Sequence, residues 1–305
     1  MKIVFMGTPN YATQILKELL TCKDIQVPLL VTQDDKPVGR KQVLTPPHIK
    51  EWALQNCPEI KIYQPTSLKT EEAREYISSF NPDFIVVAAY GKILPPSILK
   101  IAPCINLHAS ILPNYRGASP IQSSILNQDR YAGVTSMLME EGLDTGDMLG
   151  FSYFKLNEDI KIDALFEKLS VLAAKLSVKT LRNFSLLQPL AQLNADSNYA
   201  KKISKEDGLV CFASMSAKEI YIKFRSYDPW PGIYLESGLK LKEIKIVEFK
   251  TDAKPATIVE IDKEIIVTCK EGCLAIASLQ PPSKKQMSGV EYTRGKRLEV
   301  GNTLV

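Results

Sequence analysis

Asn106 and His108 stand two residues apart in an apolar stretch, and Asp144 sits in a later acidic turn flanked by Gly142 and Gly146. In an extended segment, residues two apart project from the same face, so the carboxamide and the imidazole would point together. The chain then enters Ser110-Ile111-Leu112-Pro113-Asn114-Tyr115-Arg116-Gly117-Ala118, which holds too many turn formers to continue a strand. Ser119-Pro120 supplies an N-cap and a first helical residue for a helix over 121–126. Asn106 and His108 are therefore placed at the carboxyl end of a strand, beside an ordered loop. A further strand over 134–139 leads into the acidic turn, and if it runs parallel to the first it brings Asp144 to His108. Such a trio suits acyl transfer without a covalent enzyme intermediate. When an amine attacks a carbonyl carbon, the oxygen becomes an anion, to which an Asn amide and an imidazolium can both donate. A neighbouring carboxylate would hold the imidazolium and could take a proton from the amine through a water. On residue types alone, a structural histidine capping a strand end competes with this reading.

The elements that would carry these residues alternate in type. Residues 2–6 are apolar and end at Gly7-Thr8-Pro9, residues 11–20 have helical spacing, and 27–31 form a second β-type run. A polar loop over 32–47 follows, then helical patterns at 48–55 and 70–80 around a strand at 60–63. Phe84-Ile85-Val86-Val87-Ala88-Ala89 is continuously apolar, as in a strand buried on both faces. Strands at 104–109 and 134–139 complete a β-α-β pattern, which predicts a Rossmann-like α/β domain with a mostly parallel sheet. The turn after the first strand has Gly7 but not the other two glycines of a dinucleotide fingerprint, so a dinucleotide site is not expected. Beyond residue 190 the pattern changes. We expect a domain over 1–190, a linker over 191–206, and a domain over 207–305 built from short strands at 232–235, 241–249, 257–261, 264–268 and 273–279, behind a helix at 217–224. Strands this short and this closely spaced suggest an OB-like β-barrel.

Composition narrows the function classes. The 305 residues are 45% hydrophobic and 24% charged, a globular profile. No apolar run spans a bilayer and the first residues lack signal-peptide anatomy, so a cytoplasmic protein without a membrane partner is expected, and a monomer. The six cysteines form no Cys-x-x-Cys pair, and there are two histidines, which argues against a metal. Cys269 and Cys273 read as strand residues on either side of a turn. His48, after Pro46-Pro47 at a helix start, reads as structural.

Asn106-Leu107-His108-Ala109-Ser110-Ile111-Leu112-Pro113-Asn114-Tyr115-Arg116-Gly117-Ala118-Ser119-Pro120-Ile121-Gln122 resembles the signature of the folate-dependent formyltransferases, and Leu143-Asp144-Thr145-Gly146-Asp147-Met148 is similar to their second motif. The resemblance runs over nearly the whole chain. It implies that Asn106, His108 and Asp144 are catalytic, that 10-formyltetrahydrofolate is the co-substrate, and that Ser110, Ile111, Leu112 and Pro113 line its site. Tyr90-Gly91-Lys92-Ile93-Leu94-Pro95 looks like the family's folate-pocket loop, which adds Ile93 and Leu94. Within the family, the loop from Lys36-Pro37-Val38-Gly39-Arg40 to Pro47-His48-Ile49-Lys50, together with Asp228-Pro229-Trp230-Pro231-Gly232, resembles the branch that acts on tRNA. That branch implies initiator methionyl-tRNA as the acceptor; the alternative acceptor is an amino-sugar nucleotide. The family loop commonly continues Gly-Arg-Gly, whereas here Lys41-Gln42-Val43 follows Gly39-Arg40, so basic character is kept and a hinge glycine is lost.

Two basic clusters fit an RNA acceptor. Lys36, Arg40, Lys41 and Lys50 lie in a stretch with no acid, and Lys284, Lys285, Arg294, Lys296 and Arg297 surround Glu291 as their only acid. Arg40 and Lys41 are the expected tRNA contacts. Replacing Arg40 by Ala is expected to weaken use of a tRNA acceptor, to lower the log–log salt slope of its binding by about one, and to spare folate binding. Acceptor titrations at several salt concentrations check this, and an unchanged slope would remove the loop from the interface.

Overall fold

The computed structural model describes residues 1–39 and 41–305; Arg40 lies outside the described residues. Two compact units emerge, one of Met1–Ile121, Arg130–Leu156 and Ala164–Lys201, the other of Gln122–Asp129, Asn157–Asp163 and Lys202–Val305.

The first unit is built on β1 (Lys2–Gly7), β2 (Gln26–Val31), the hairpin strands β3 (Lys36–Val38) and β4 (Val43–Thr45), β5 (Lys61–Tyr63), β6 (Phe84–Ala88), β7 (Cys104–His108), β8 (Arg116–Gly117), β9 (Tyr131–Leu138), β10 (Met148–Lys155) and β11 (Tyr199–Ala200). Seven of these form one sheet in the order β10-β9-β7-β6-β1-β2-β5. From β7 to β5 every pairing is parallel. β1, β6 and β7 are almost wholly buried, as strands covered on both faces must be. One face packs Val4, Met6, Leu29, Val31, Ile85 and Val87 into a common core. Helix α1 (Asn10–Thr21) lies against β1, β2 and β6 through an apolar stripe that includes Ile15, Leu16 and Leu19. The other helices whose ranges open in this part of the chain are α2 (His48–Asn56), α3 (Glu71–Ser78), α4 (Pro96–Leu99), α5 (Pro120–Leu126) and the long α6 (Ile162–Asn183).

The strand expected to run parallel beside β7 does not. β9 is antiparallel to it, with His108 opposite Thr135 and Ile105 opposite Leu138. β9 opens beside the end of β7, so the chain re-enters the sheet at the end it left. β9 then runs away from His108. The acidic turn reaches the site only because residues 139–147 double back, closed by the Leu138 amide on the Asp147 carbonyl at 2.8 Å. The loop expected over 32–47 also differs in containing the β3–β4 hairpin, with Lys36 opposite Thr45 and Val38 opposite Val43.

The second unit pairs β12 (Ile233–Tyr234), β13 (Lys240–Val247), β14 (Ile258–Ile261), β15 (Ile265–Thr268) and β16 (Cys273–Gln280) in the order β12-β13-β16-β15-β14, with β17 (Met287–Ser288) beside β16. All of these pairings are antiparallel, an OB-like arrangement. α7 (Ala217–Tyr227) and α8 (Gly289–Lys296) each begin with a capping box, Ser216 with Glu219 and Ser288 with Glu291. α8 has no counterpart in the sequence reading; its two glycines and weak apolar periodicity hide it. Arg225 on α7 is buried, stacks on Tyr221, and donates from Nη1 to the Ile160 carbonyl at 3.0 Å. Burial pulls its guanidinium below the usual arginine range.

All six cysteines are free thiols. Burial pushes the Cys104 and Cys269 thiols up to about 12. Cys211 is exposed, and hydrogen bonds from the Ser214 side chain and the local backbone pull its thiol below the ordinary range. Limited alkylation at neutral pH is therefore expected to modify Cys211 first, while Cys104, Cys269 and Cys273 react only after denaturation. Peptide mass mapping of labelled native protein checks the order, and early labelling of Cys104 would contradict this packing.

Candidate active site

β7 delivers Asn106 and His108 to one face, and both are buried, at 8% and 6% exposure. Asp144 joins them from the doubled-back turn. The Asn106 Nδ2 donates to Asp144 Oδ1 at 3.3 Å, and His108 Nδ1 lies 3.6 Å from Asp144 Oδ2. The Gly117 amide donates to Asp144 Oδ2 at 2.8 Å. At 3.6 Å the imidazole and carboxylate face each other at ion-pair distance, beyond hydrogen-bond range. On the far side of the ring, His108 Nε2 lies 2.8 Å from the Tyr115 carbonyl. A carbonyl only accepts, so Nε2 carries the proton in that contact. The second Nδ2 hydrogen of Asn106 has no partner among the described residues.

Backbone conformation explains how the turn and the loop meet. Asp144 has φ 54° and Tyr115 φ 60°, both in the left-handed region that non-glycine residues enter only when their surroundings require it. Gly117, at φ 108°, is forced to be glycine twice over, since a Cβ there would also sit 2.8 Å from the Ala200 carbonyl. β8 pairs with β11, Arg116 opposite Tyr199 and Gly117 opposite Ala200.

The stretch expected as a linker contributes much of this support. Asn198 accepts from the Tyr115 amide through Oδ1 at 2.5 Å and from the Arg116 amide through its carbonyl at 3.0 Å. Gln192 Nε2 donates to the carbonyls of Asp144 at 2.9 Å and Gly146 at 2.7 Å. Sequence reading missed Gln192, Asn194 and Asn198. The signal available was their density of side-chain amides, which suit backbone groups better than solvent. It also missed Tyr11, whose buried hydroxyl donates to the Leu107 carbonyl at 3.1 Å between Asn106 and His108.

Ser110, Ile111, Leu112 and Pro113 form a wall pinned from β9. Thr135 Oγ1 donates to the Ser110 carbonyl at 2.7 Å and accepts from the Leu112 amide at 3.0 Å. Ser110 Oγ donates to the Asn114 carbonyl at 2.5 Å, and Leu112 packs on Met137 and Met148. The Leu112–Pro113 peptide is cis. The loop after β6 divides its two apolar residues, Leu94 entering the core at 2% exposure and Ile93 standing out at 77%. Leu94 can therefore offer a ligand backbone rather than side chain. The Tyr90 carbonyl accepts from Thr8 Oγ1 at 2.9 Å and Gln33 Nε2 at 2.8 Å. The buried Tyr90 hydroxyl has no partner among the described residues.

The basic loop is less cationic than its sequence. Lys50 is bound to Asp35 at 2.8 Å, and hydrogen bonds from Gln64 and Lys50 hold that carboxyl below the usual carboxylate range. Lys36 donates to Gln33 at 2.6 Å, while Lys41 is exposed between β3 and β4. Lys284, Lys285, Arg294, Lys296 and Arg297 are all exposed.

Residues 1–181 match the formyl transferase family, and residues 202–297 match the formyl transferase C-terminal domain. The chain belongs to the formyl transferase family. It is 53% identical over 304 residues to a methionyl-tRNA formyltransferase of a Nitratiruptor species, covering 99% of both chains. It is 51% identical over 304 residues to a methionyl-tRNA formyltransferase of Wolinella succinogenes, again with 99% of each covered. Among solved structures, the Helicobacter canadensis N-formyltransferase in complex with folinic acid and dTDP-3-aminofucose shares the fold at TM-score 0.65 and 18% identity, over 90% of this chain and 98% of that one. Aquifex aeolicus HypX in complex with tetrahydrofolic acid does so at TM-score 0.65 and 15% identity, over 96% of this chain; the chain spans 47% of HypX. Among the described residues of this formyl transferase, no helix is long and apolar enough to cross a membrane.

Thr135→Val keeps shape but leaves the Ser110 carbonyl and Leu112 amide without their partner. The expected cost is about 1–3 kcal/mol, measured by denaturant unfolding. A variant as stable as the parent would show that this wall does not depend on Thr135.

Proposed function

We propose that this formyl transferase moves a formyl group from 10-formyltetrahydrofolate to the α-amino group of initiator methionyl-tRNA. The observation that carries the acceptor assignment is the 53% identity to a methionyl-tRNA formyltransferase over 99% of both chains. The amino-sugar reading is supported only by shared fold, at 17% to 19% identity. Cytoplasmic action follows from a role in translation.

The site's residues fit a folate. Ser110 to Pro113 and the backbone around Ile93 and Leu94 would hold it, and the buried Tyr90 hydroxyl, without a partner among the described residues, is a polar atom that a ligand would satisfy. The co-substrate supplies the one-carbon group. The second Asn106 N–H is the donor best placed to meet the formyl oxygen as it gains charge, because nothing else holds it. His108 Nε2 donates to Tyr115 in the resting site, so it serves the oxygen by exchanging that carbonyl for it. Asp144 faces His108 Nδ1 at 3.6 Å and is the nearest base for the proton that the attacking amine must lose. Arg40 and Lys41 would meet the acceptor's phosphates.

His108→Ala is expected to lower transfer by at least about 100-fold while leaving tRNA binding nearly intact. Turnover near the parent's would end the oxyanion argument. A transfer assay offering methionyl-tRNA and amino-sugar nucleotides side by side tests the acceptor, and preferred formylation of a sugar nucleotide would overturn it.

A further inference from the structure

Arg116 is a large, fully buried side chain, 1% exposed, and it pairs with no carboxylate among the described residues. Its Nε donates to Gln192 Oε1 at 2.9 Å and its Nη1 to Asn194 Oδ1 at 3.0 Å. A buried cation held by two neutral amides is a costly arrangement that a simpler packing would avoid. Its effect is on orientation. A guanidinium can only donate, so the oxygen of the Gln192 amide must face Arg116, and the amide nitrogen must then point away. That nitrogen gives its two hydrogens to the carbonyls of Asp144 and Gly146.

The three consecutive residues 115–117 therefore touch the site in three ways. The Tyr115 carbonyl meets His108, the Gly117 amide meets the Asp144 carboxylate, and the Arg116 side chain reaches the Asp144 main chain through Gln192. The segment that carries Gln192 is tied down just before it, where Leu190 exchanges two backbone hydrogen bonds with Met148, both at 2.9 Å. We propose that Gln192, oriented by Arg116, is a positioning residue for formyl transfer, fixing the left-handed backbone of Asp144 so that its carboxylate stays in register with His108 and Asn106. This rests on the reading of Asp144 as catalytic.

Gln192→Glu separates this role from a purely structural one. Glutamate keeps the length and still accepts from Arg116, but it turns a carboxylate oxygen toward two carbonyls and cannot donate to them. The expected result is a fall in kcat of about 10- to 100-fold, as for a catalytic group misplaced by an ångström or less. KM for methionyl-tRNA and for 10-formyltetrahydrofolate should stay within about twofold, and the limb of the kcat–pH profile belonging to the His108–Asp144 pair should shift. Unchanged kcat and pH profile, or a change in KM or melting temperature alone, would overturn the proposal. If Gln192→Glu fails to fold, Arg116→Met combined with Gln192→Met removes the cation and its partner together, and the same fall in kcat is expected. Asp144→Asn is assayed in parallel. If it turns over like the parent, the catalytic reading and this proposal fail together. If it is inactive while Gln192→Glu is normal, only the positioning role fails.

Discussion

The candidate site of this formyl transferase is arranged around a partly buried carboxylate. Asp144 is met by a backbone amide, a carboxamide and an imidazole, from Gly117, Asn106 and His108. A carboxylate taken out of water needs donors, and when it has them it fixes their positions in return. Asn106 and Gly117 donate the hydrogen bonds, and His108 Nδ1 faces the same carboxylate at 3.6 Å. Asn106 and His108 stand on β7, which is held between two strands of a covered sheet, and Gly117 stands in the loop beyond it. The carboxylate thus ties a loop to a strand.

Antiparallel β9 makes this harder. A strand parallel to β7 would end where His108 ends and would present an acid without further effort. Running the other way, β9 ends opposite Ile105, and the chain must reverse to bring Asp144 back. The reversal leaves Asp144 with φ 54°, a conformation that drifts unless neighbours hold it. The main-chain neighbour is the Gln192 amide, from a segment without regular structure of its own apart from a short 3₁₀ turn. β9 nonetheless supports the site through Thr135, whose hydroxyl pins both the Ser110 carbonyl and the Leu112 amide beside it.

What could be read from the sequence divides along physical lines. β1, β6 and β7 were legible because continuous apolar runs identify strands buried on both faces. Asn106 and His108 were legible as a pair because a strand's two-residue period is fixed. The direction of β9 was not, since periodicity says nothing about strand polarity and the connection after β7 is long enough to return the chain to either end of the sheet. Lys50 looked like part of an open basic patch because its partner, Asp35, precedes the basic stretch and meets it only through the fold. Gln192, Asn194 and Asn198 looked like linker because polar residues without apolar periodicity resemble solvated chain, and their backbone partners are distant in sequence. Arg40, on which part of the acceptor reading rests, lies outside the described residues.

The second unit is not a contiguous stretch of sequence. It takes in Asn157–Asp163 as well as Lys202–Val305, and the Ile160 carbonyl is where the buried Arg225 places Nη1. A fragment starting at residue 202 would keep the cation and leave its acceptor behind, at a cost of about 1–3 kcal/mol for the orphaned donor. A boundary drawn at residue 202 therefore cuts through this unit rather than beside it, and a piece meant to fold alone has to include Asn157–Asp163 as well.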